Sequence, residues 1–324
     1  MSCPDIAVKA LLARPLSLAE DFDFIVAQYE RCLMSWNKVL DFDFFNTAAA
    51  ADDMEKARRA LGINRWDVIG FSYGSRLALE LIRRHPQGVR AGLLDSVLPA
   101  DADRLSPING PDAVIGRIAK SCARDFYCAR YGDLRANINA ALALVETSPP
   151  RLTVRNPHDG GAIVLAITPS RLMDILLFGL YYDEGVAQFP KLARQLADGG
   201  VDTINMRFFV EQALYQVFDK KFATALNIAY ACGEWNPPEA PTGGDRLAAI
   251  QKKNDMLWRQ FCRRHWPAPP SQKPVQSDKP LMLIAGEYDH ATPLAWAKKR
   301  RGASRRRNCL SCRWRIRLCY IRRA

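Results

Sequence analysis

The segment best equipped for chemistry surrounds Ser72, in the run DVIGFSYGSRLALELIRRHP. A short apolar stretch ends in Gly70-Phe71-Ser72-Tyr73-Gly74, and a pattern with helical period follows at once. A G-x-S-x-G motif on a sharp turn between a strand and a helix presents the serine hydroxyl as a nucleophile. The pattern therefore predicts covalent catalysis by Ser72, with the backbone N–H of Tyr73 as one donor to an oxyanion.

A nucleophilic serine needs a base that accepts its proton, normally a histidine that a carboxylate orients. Asp289 follows a buried-strand pattern in KPLMLIAGEYDH and is the predicted acid, with Asp95 behind an earlier strand as the alternative. No histidine fits the base. The four histidines of the chain fall at a helix end, in a hairpin turn, beside a tryptophan and directly after Asp289: His85, His158, His265 and His290.

The elements that must position Ser72 can be identified around it. Residues 66–71 read as a strand, 75–84 as a helix and 89–94 as a second strand. A strand, helix and strand over such a short stretch form a βαβ unit, which implies a parallel sheet. Two further helices are predicted before it, over residues 17–36 and 46–61.

Long helical patterns dominate the chain after about residue 108, interrupted by a hairpin pattern that turns at residues 156–161. The sequence thus predicts an α/β core that is interrupted by a mostly helical insertion. The predicted division is a partial core (1–107), the helical insertion (108–278), a return to the core with the acid-bearing strand (279–298) and a basic tail (299–324).

The composition is that of a soluble globular protein, with 48% hydrophobic and 25% charged residues among 324. No apolar run is long enough for a transmembrane helix, and the first residues lack the pattern of a signal peptide, which favours the cytoplasm. Six cysteines precede the tail. They permit three disulfides and an exported parent protein, whereas reduced buried cysteines are the alternative.

The net charge of +12 belongs to residues 298–324, which hold two lysines, ten arginines and no acid. The tail also lacks histidine, and no strand periodicity is expected in it, so a reading-frame shift near residue 299 is the favoured interpretation. The rival interpretation is a genuine basic tail that binds nucleic acid or anionic membrane. No nucleic-acid-binding module accompanies it, so specific nucleic-acid binding is not expected.

Several segments together resemble one family. They are LGINRWDVIGFSYGSRLALELIRRHPQGVRAGLLDSVLPAD, the upstream NTAAAADDMEKARRALGI, the stretch YACGEW and the late GEYDHATPLAWA. These segments are similar to α/β-hydrolases of the proline iminopeptidase and tripeptidyl aminopeptidase group (serine peptidase family S33). The resemblance covers about residues 1–298.

This resemblance implies release of residues from the free N-terminus of a peptide or amino-acyl substrate through an acyl-enzyme, without metal or cofactor. Ser72 matches the nucleophile, Asp289 the acid and Tyr73 the oxyanion donor, and the insertion matches a cap over the active site. Glu234 matches a cap carboxylate that would hold the substrate ammonium group, with a solvated loop glutamate as the alternative. Cys232 with Cys262, and Cys122 with Cys128, could staple the cap.

Two departures from the family pattern bear on activity. The family's histidine is expected after Asp289, where the basic tail stands instead. An H-G-G-P-G-like oxyanion loop and a D-x-R-G-x-G-x-S segment are also expected before residue 1, so the chain is interpreted as truncated there. Without the base and one oxyanion donor, negligible peptidase activity is predicted. The opposing hypothesis is a non-catalytic binding protein.

Overall fold

The structure is a computed structural model that describes residues 3, 11–102, 111–219, 221–234, 244–267, 273–302, 308–311 and 316–321. The chain divides into two compact units. The sheet unit comprises residues 41–110, 229–238 and 266–324, and the helical unit comprises residues 1–40, 111–228 and 239–265. Residues 1–40, which the sequence analysis assigned to the core, thus group with the helices.

Up to residue 286, the helices and strands follow the predicted order. The strands are β1 (Trp66–Phe71), β2 (Val89–Asp95), β3 (Arg151–Arg155), β4 (Ala162–Ala166), β5 (Leu281–Gly286), β6 (Asn308–Ser311) and β7 (Ile316–Ile321). The helices are α1 (Leu18–Asn37), α2 (Thr47–Ala60), α3 (Tyr73–Arg84), α4 (Pro111–Cys122), α5 (Phe126–Ala129), α6 (Leu134–Thr147), α7 (Pro169–Gly179), α8 (Asp183–Ala197), α9 (Ile204–Val217), α10 (Thr224–Glu234), α11 (Arg246–His265) and α12 (Leu294–Gly302).

The sheet unit is built on a five-stranded sheet in the order β1-β2-β5-β7-β6. β1, β2 and β5 run parallel, which confirms the predicted βαβ unit and the return of the chain to the same sheet. Parallel neighbours require a crossover, and α3 supplies the one between β1 and β2. Because the three strands are parallel, their carboxyl ends lie at one edge of the sheet, where ligands of open α/β sheets bind.

Helix α3 holds the sheet in place through its apolar face. Leu79, Leu81 and Ile82 are all at most 1% exposed and join Leu94 of β2 and Leu283 of β5 in one core cluster. Fully burying such side chains contributes about 1.5–3 kcal/mol each. The neighbouring strand β1 buries alternate residues against this core. Packing therefore fixes the position of the strand that directly precedes Ser72.

The end of the chain differs from the sequence expectation, because the tail contains strands. β7 pairs antiparallel with β5, and β6 pairs antiparallel with β7. The expectation of no strand periodicity is therefore wrong for these residues. The run IRLCYI places Ile, Leu and Tyr at alternate positions, a pattern that a strand accommodates and that the density of arginine obscured. The reading-frame shift stays a prediction.

The helical unit contains the predicted hairpin, in which β3 pairs antiparallel with β4. Arg171 of α7 anchors the first residues of this unit: its guanidinium donates to the carbonyls of Leu11, Leu12 and Arg14 and pairs with the buried Asp21. Disulfides join Cys3 to Cys32 and Cys122 to Cys128. Among the described residues, no helix combines the length and hydropathy that crossing a bilayer requires.

Candidate active site

Ser72 has the backbone conformation that a nucleophile on a strand-to-helix turn requires. Its φ is 52° and its ψ is −119°, outside the regions that L-residues ordinarily populate. Its amide donates to the carbonyl of Asp95 at 3.0 Å, which ties the turn to the end of β2. Its side chain makes no capping hydrogen bond to α3, so the hydroxyl is not consumed by the helix that it precedes. Strain of this kind is concentrated at functional sites.

The glycine two positions before Ser72 is required by close approach. A Cβ at Gly70 would lie 2.4 Å from the carbonyl oxygen of Gly74 and 2.7 Å from the Cα of Ser75, both backbone atoms that cannot yield. Gly74 itself meets nothing within 4 Å of an added Cβ, so packing does not explain the second glycine of the motif. The sharp turn at Ser72 thus depends on Gly70.

Tyr73 is the first residue of α3, and the first amides of a helix have no acceptor within it. An N–H at this position, reinforced by the positive end of the helix dipole, is suited to an anion beside Ser72. The role of the Tyr73 amide as an oxyanion donor stays a prediction. The phenol of Tyr73 is half-buried, and this burial raises its pKa well above the ordinary range.

Asp289 lies just beyond the carboxyl end of β5, at the same sheet edge as Ser72. Its Oδ1 accepts from the amides of Ala291 and Thr292 at 2.9 and 2.8 Å, and its Oδ2 accepts from the Thr292 hydroxyl at 2.5 Å. One strand, β2, separates β1 from β5, so the two strand axes are about 10 Å apart. A catalytic base would have to lie between the ends of these two strands, and the role of Asp289 as the acid stays a prediction.

Three histidines are bound elsewhere. His85 Nε2 lies 2.7 Å from Asp52 Oδ1, His158 Nε2 lies 2.8 Å from the Tyr215 carbonyl, and His265 Nε2 lies 3.2 Å from Glu30 Oε1. His158 and His265 both belong to the helical unit. His85 and Ser72 flank opposite ends of α3, so the helix itself separates them.

His290 directly follows Asp289, as the sequence shows. Burial lowers the pKa of its imidazole to about 4, while the charge of Asp289 acts in the opposite direction. The imidazole is therefore neutral near pH 7. His290 lies in the loop between β5 and α12, as the sequence predicted. Adjacent side chains seldom align as acid and base, so no catalytic role is assigned to it.

Asp95, the alternative acid, ends β2 beside the turn. Its carboxylate accepts from the Ser96 hydroxyl at 3.2 Å, and Ser96 has a positive φ of 55°. Ser75 links this corner to α3: its hydroxyl donates to the Ser72 carbonyl at 2.6 Å and accepts from the Leu98 amide at 2.8 Å. These hydrogen bonds stabilise the turn at Ser72 and are typical of a structural loop.

Glu234, at the end of α10, is buried within the sheet unit. Its Oε1 accepts from the Thr47 amide, and its Oε2 accepts from the Thr47 hydroxyl at 2.7 Å and from Arg76 Nε at 2.9 Å. The Thr47 hydroxyl also lies 2.9 Å from the Tyr73 hydroxyl, whose ring packs 4.9 Å from that of Tyr230.

The Glu234 carboxylate therefore has a cationic partner already, since the Arg76 side chain is 2% exposed and lies beside it. Arg76 also donates to the carbonyls of Pro99 and Ala100. A substrate ammonium group would have to compete with this guanidinium. Sequence reasoning missed the pairing, although a charged residue within the apolar helix SRLALEL could have signalled a buried partner.

The profile of the α/β hydrolase fold family matches residues 22–301. The chain belongs to this family. The parallel strands β1, β2 and β5, the helix α3 and the turn at Ser72 agree with this fold. Among the described residues, no group of three potential ligands could hold a metal ion.

The chain is also distantly similar to a serine protease. The chain is 24% identical over 277 residues to "Serine protease Hip1" of Mycobacterium bovis and of Mycobacterium tuberculosis, covering 76% of this chain. It spans about half the length of these curated relatives, 51%. A mutant of Vigna radiata epoxide hydrolase is 13% identical, with a TM-score of 0.25 over 81% of this chain and 65% of that one. At that value the superposition adds nothing to the assignment.

Proposed function

We propose that this α/β-hydrolase is of the serine hydrolase type, with Ser72 as nucleophile, Asp289 as acid and the Tyr73 amide as oxyanion donor. The observation that carries the proposal is the conformation of Ser72, with a φ of 52° on the turn between β1 and α3. A serine held in this way is costly for the fold and useful for covalent catalysis. The distant relation to a serine protease supports the same chemistry.

The finer proposal is an aminopeptidase of the proline iminopeptidase type, which rests on the resemblance of the YACGEW and GEYDHATPLAWA segments to that group. Such an enzyme would remove residues from a free peptide N-terminus. Amino-acyl substrates with a free and with an acetylated amine separate this specificity from that of a general esterase or endopeptidase. An aminopeptidase would discriminate strongly against the acetylated form.

In its present form the chain is proposed to have little activity, because it offers no histidine suited to act on Ser72. Three histidines are bound to Asp52, Tyr215 and Glu30. The fourth, His290, is adjacent to Asp289 in the sequence, and adjacent side chains seldom align as acid and base. The loss of a triad base costs several orders of magnitude in rate.

A fluorophosphonate probe with added imidazole tests both the nucleophilic role of Ser72 and the proposed lack of activity. Without imidazole, we expect negligible labelling of the wild type. With imidazole as an external base, labelling should rise in the wild type and stay at background in Ser72→Ala. Labelling of Ser72 without imidazole would show a working base and overturn the proposed inactivity. Absence of labelling even with imidazole, in a folded protein, would overturn the hydrolase site itself.

The compartment is proposed to be oxidising. The pairing of Cys3 with Cys32 and of Cys122 with Cys128 supports this, because disulfides persist outside the reducing cytosol. Thiol alkylation of the native protein, followed by mass spectrometry, distinguishes bonded from reduced cysteines.

A further inference from the structure

The helical unit carries an aromatic tip, which consists of the side chains of Phe126 and Tyr127. They are 87% and 72% exposed, and their rings meet edge to face with centroids 5.5 Å apart. Large hydrophobic side chains are scattered over any protein surface, but two adjacent and almost fully exposed aromatic rings form a specific feature. No catalytic role proposed above uses them.

The tip is held on a rigid support. The disulfide between Cys122 and Cys128 closes the segment that carries both rings. Within this loop, Asp125 Oδ1 accepts from the Cys128 amide at 2.9 Å, and the Asp125 carbonyl accepts from the Ala129 amide at 2.8 Å. A loop fixed in this way loses little conformational entropy when it binds.

Three basic residues lie close to the tip in sequence, and we call Lys120, Arg124 and Arg130 the basic collar. All three are exposed, and Arg130 lies over the ring of Tyr131, 5.1 Å from its centroid. Asp125 and Asp133 offset two of these three charges, so residues 120–133 carry a net charge of +1. Two exposed aromatic rings therefore stand within a short segment of net positive charge.

The shape of this feature favours a fluid surface over a folded protein partner. A stable protein interface covers about 800 Å² on each side, whereas two exposed rings on the short helix α5 offer only a fraction of that area. The boundary of a lipid bilayer accepts isolated aromatic rings between headgroups and acyl chains. Anionic headgroups attract basic residues at the same depth, each contributing about 1 kcal/mol, or about fivefold in affinity.

We propose that the Phe126–Tyr127 tip and its basic collar form a docking site for an anionic lipid surface. The rings enter the interface, and Lys120, Arg124 and Arg130 contact the phosphate groups of the lipids. This attachment is peripheral and independent of the chemistry at Ser72. It is also distinct from any electrostatic attraction of the basic tail, because the tip adds a hydrophobic component that salt does not screen.

Flotation of the full chain with lipid vesicles tests this site. The vesicles contain either phosphatidylcholine alone or phosphatidylcholine mixed with phosphatidylglycerol, at low and at high salt. We expect Phe126→Ser combined with Tyr127→Ser to weaken the partition onto mixed vesicles by at least about tenfold at high salt. Ile204→Ser is the matched control, because Ile204 is 83% exposed in the same unit but lies outside the tip, and it should leave the partition unchanged.

The collar is tested separately by Arg124→Ser. Removing this charge should weaken binding to mixed vesicles by about fivefold and leave binding to phosphatidylcholine unchanged. Equal partition of the wild type and the double variant at both salt concentrations would overturn the proposal and assign membrane binding to the tail. A loss of binding in the Ile204 control as large as that in the double variant would overturn it as well.

Discussion

Two carboxylates of the sheet unit, those of Asp289 and Glu234, are held in opposite ways. Asp289 accepts hydrogen bonds from neutral donors, namely two backbone amides and the Thr292 hydroxyl. Glu234 lies beside the buried guanidinium of Arg76. Sequence resemblance assigned a function to both. A carboxylate that accepts only from neutral donors keeps a negative charge that can orient a protonated base. A carboxylate paired with a buried cation has its charge compensated and stabilises the fold instead.

The largest effect is expected when the paired carboxylate is removed. Glu234→Ala leaves the Arg76 guanidinium buried without its partner, which should cost about 3–5 kcal/mol in the free energy of unfolding. Urea denaturation measures the loss. Replacing both partners, as Arg76→Met with Glu234→Leu, should recover most of it, because the buried charge is then gone. A loss below about 1 kcal/mol in the single variant would show that the pair does not stabilise the fold.

An intermediate effect is expected from the imidazole beside Asp289. The pKa of His290 is lowered from an ordinary value near 6.5 to about 4 in the folded state. Between these values the unfolded chain binds more protons, so the free energy of unfolding should fall as the pH drops from about 6.5 to about 4. The fall amounts to at most about 3 kcal/mol.

Urea denaturation across this pH window, for the wild type and for His290→Asn, isolates the contribution of His290. The variant should lose this part of the pH dependence while retaining that of the carboxylates. Identical pH profiles for the two proteins would mean that His290 is solvated like an unperturbed imidazole.

The smallest effect on stability is expected for Asp289→Asn. The amide oxygen can still accept from the backbone of Ala291 and Thr292. The charge assistance and the bond from the Thr292 hydroxyl to Oδ2 are lost, because an amide nitrogen cannot accept, at a cost of about 1–2 kcal/mol. Imidazole-dependent labelling of Ser72 should nevertheless fall strongly, because the external base is no longer oriented. Urea denaturation and the fluorophosphonate probe report the two quantities on the same sample. Undiminished labelling would transfer the role of the acid to Asp95.

Local sequence predicted the part of the fold that carries the nucleophile. The strand before Ser72, the helix after it and the hairpin at residues 156–161 follow from side-chain periodicity, since each is decided by neighbours along the chain. Contacts between distant residues escaped prediction. Glu234 and Arg76 are separated by 158 residues, and no short-range pattern encodes such a pairing.

The tail strand β7 escaped prediction for a related reason. Its identity as a strand depends on the edge of β5, with which it pairs from Ile316 opposite Gly286 to Ile321 opposite Leu281. A sheet edge offers unpaired backbone groups to any extended segment, so tertiary pairing can outweigh an unfavourable composition. High arginine content alone was therefore insufficient evidence against a strand.

The backbone conformation of Ser72 bears on which residue types this position favours. A φ of 52° with a ψ of −119° is strained for serine by about 1–3 kcal/mol and open to glycine. Random mutation combined with selection for stability alone would drift toward glycine at this position, because most proteins lie near a stability threshold. The serine therefore carries a stability cost at this position, which the nucleophilic role proposed for its hydroxyl would explain.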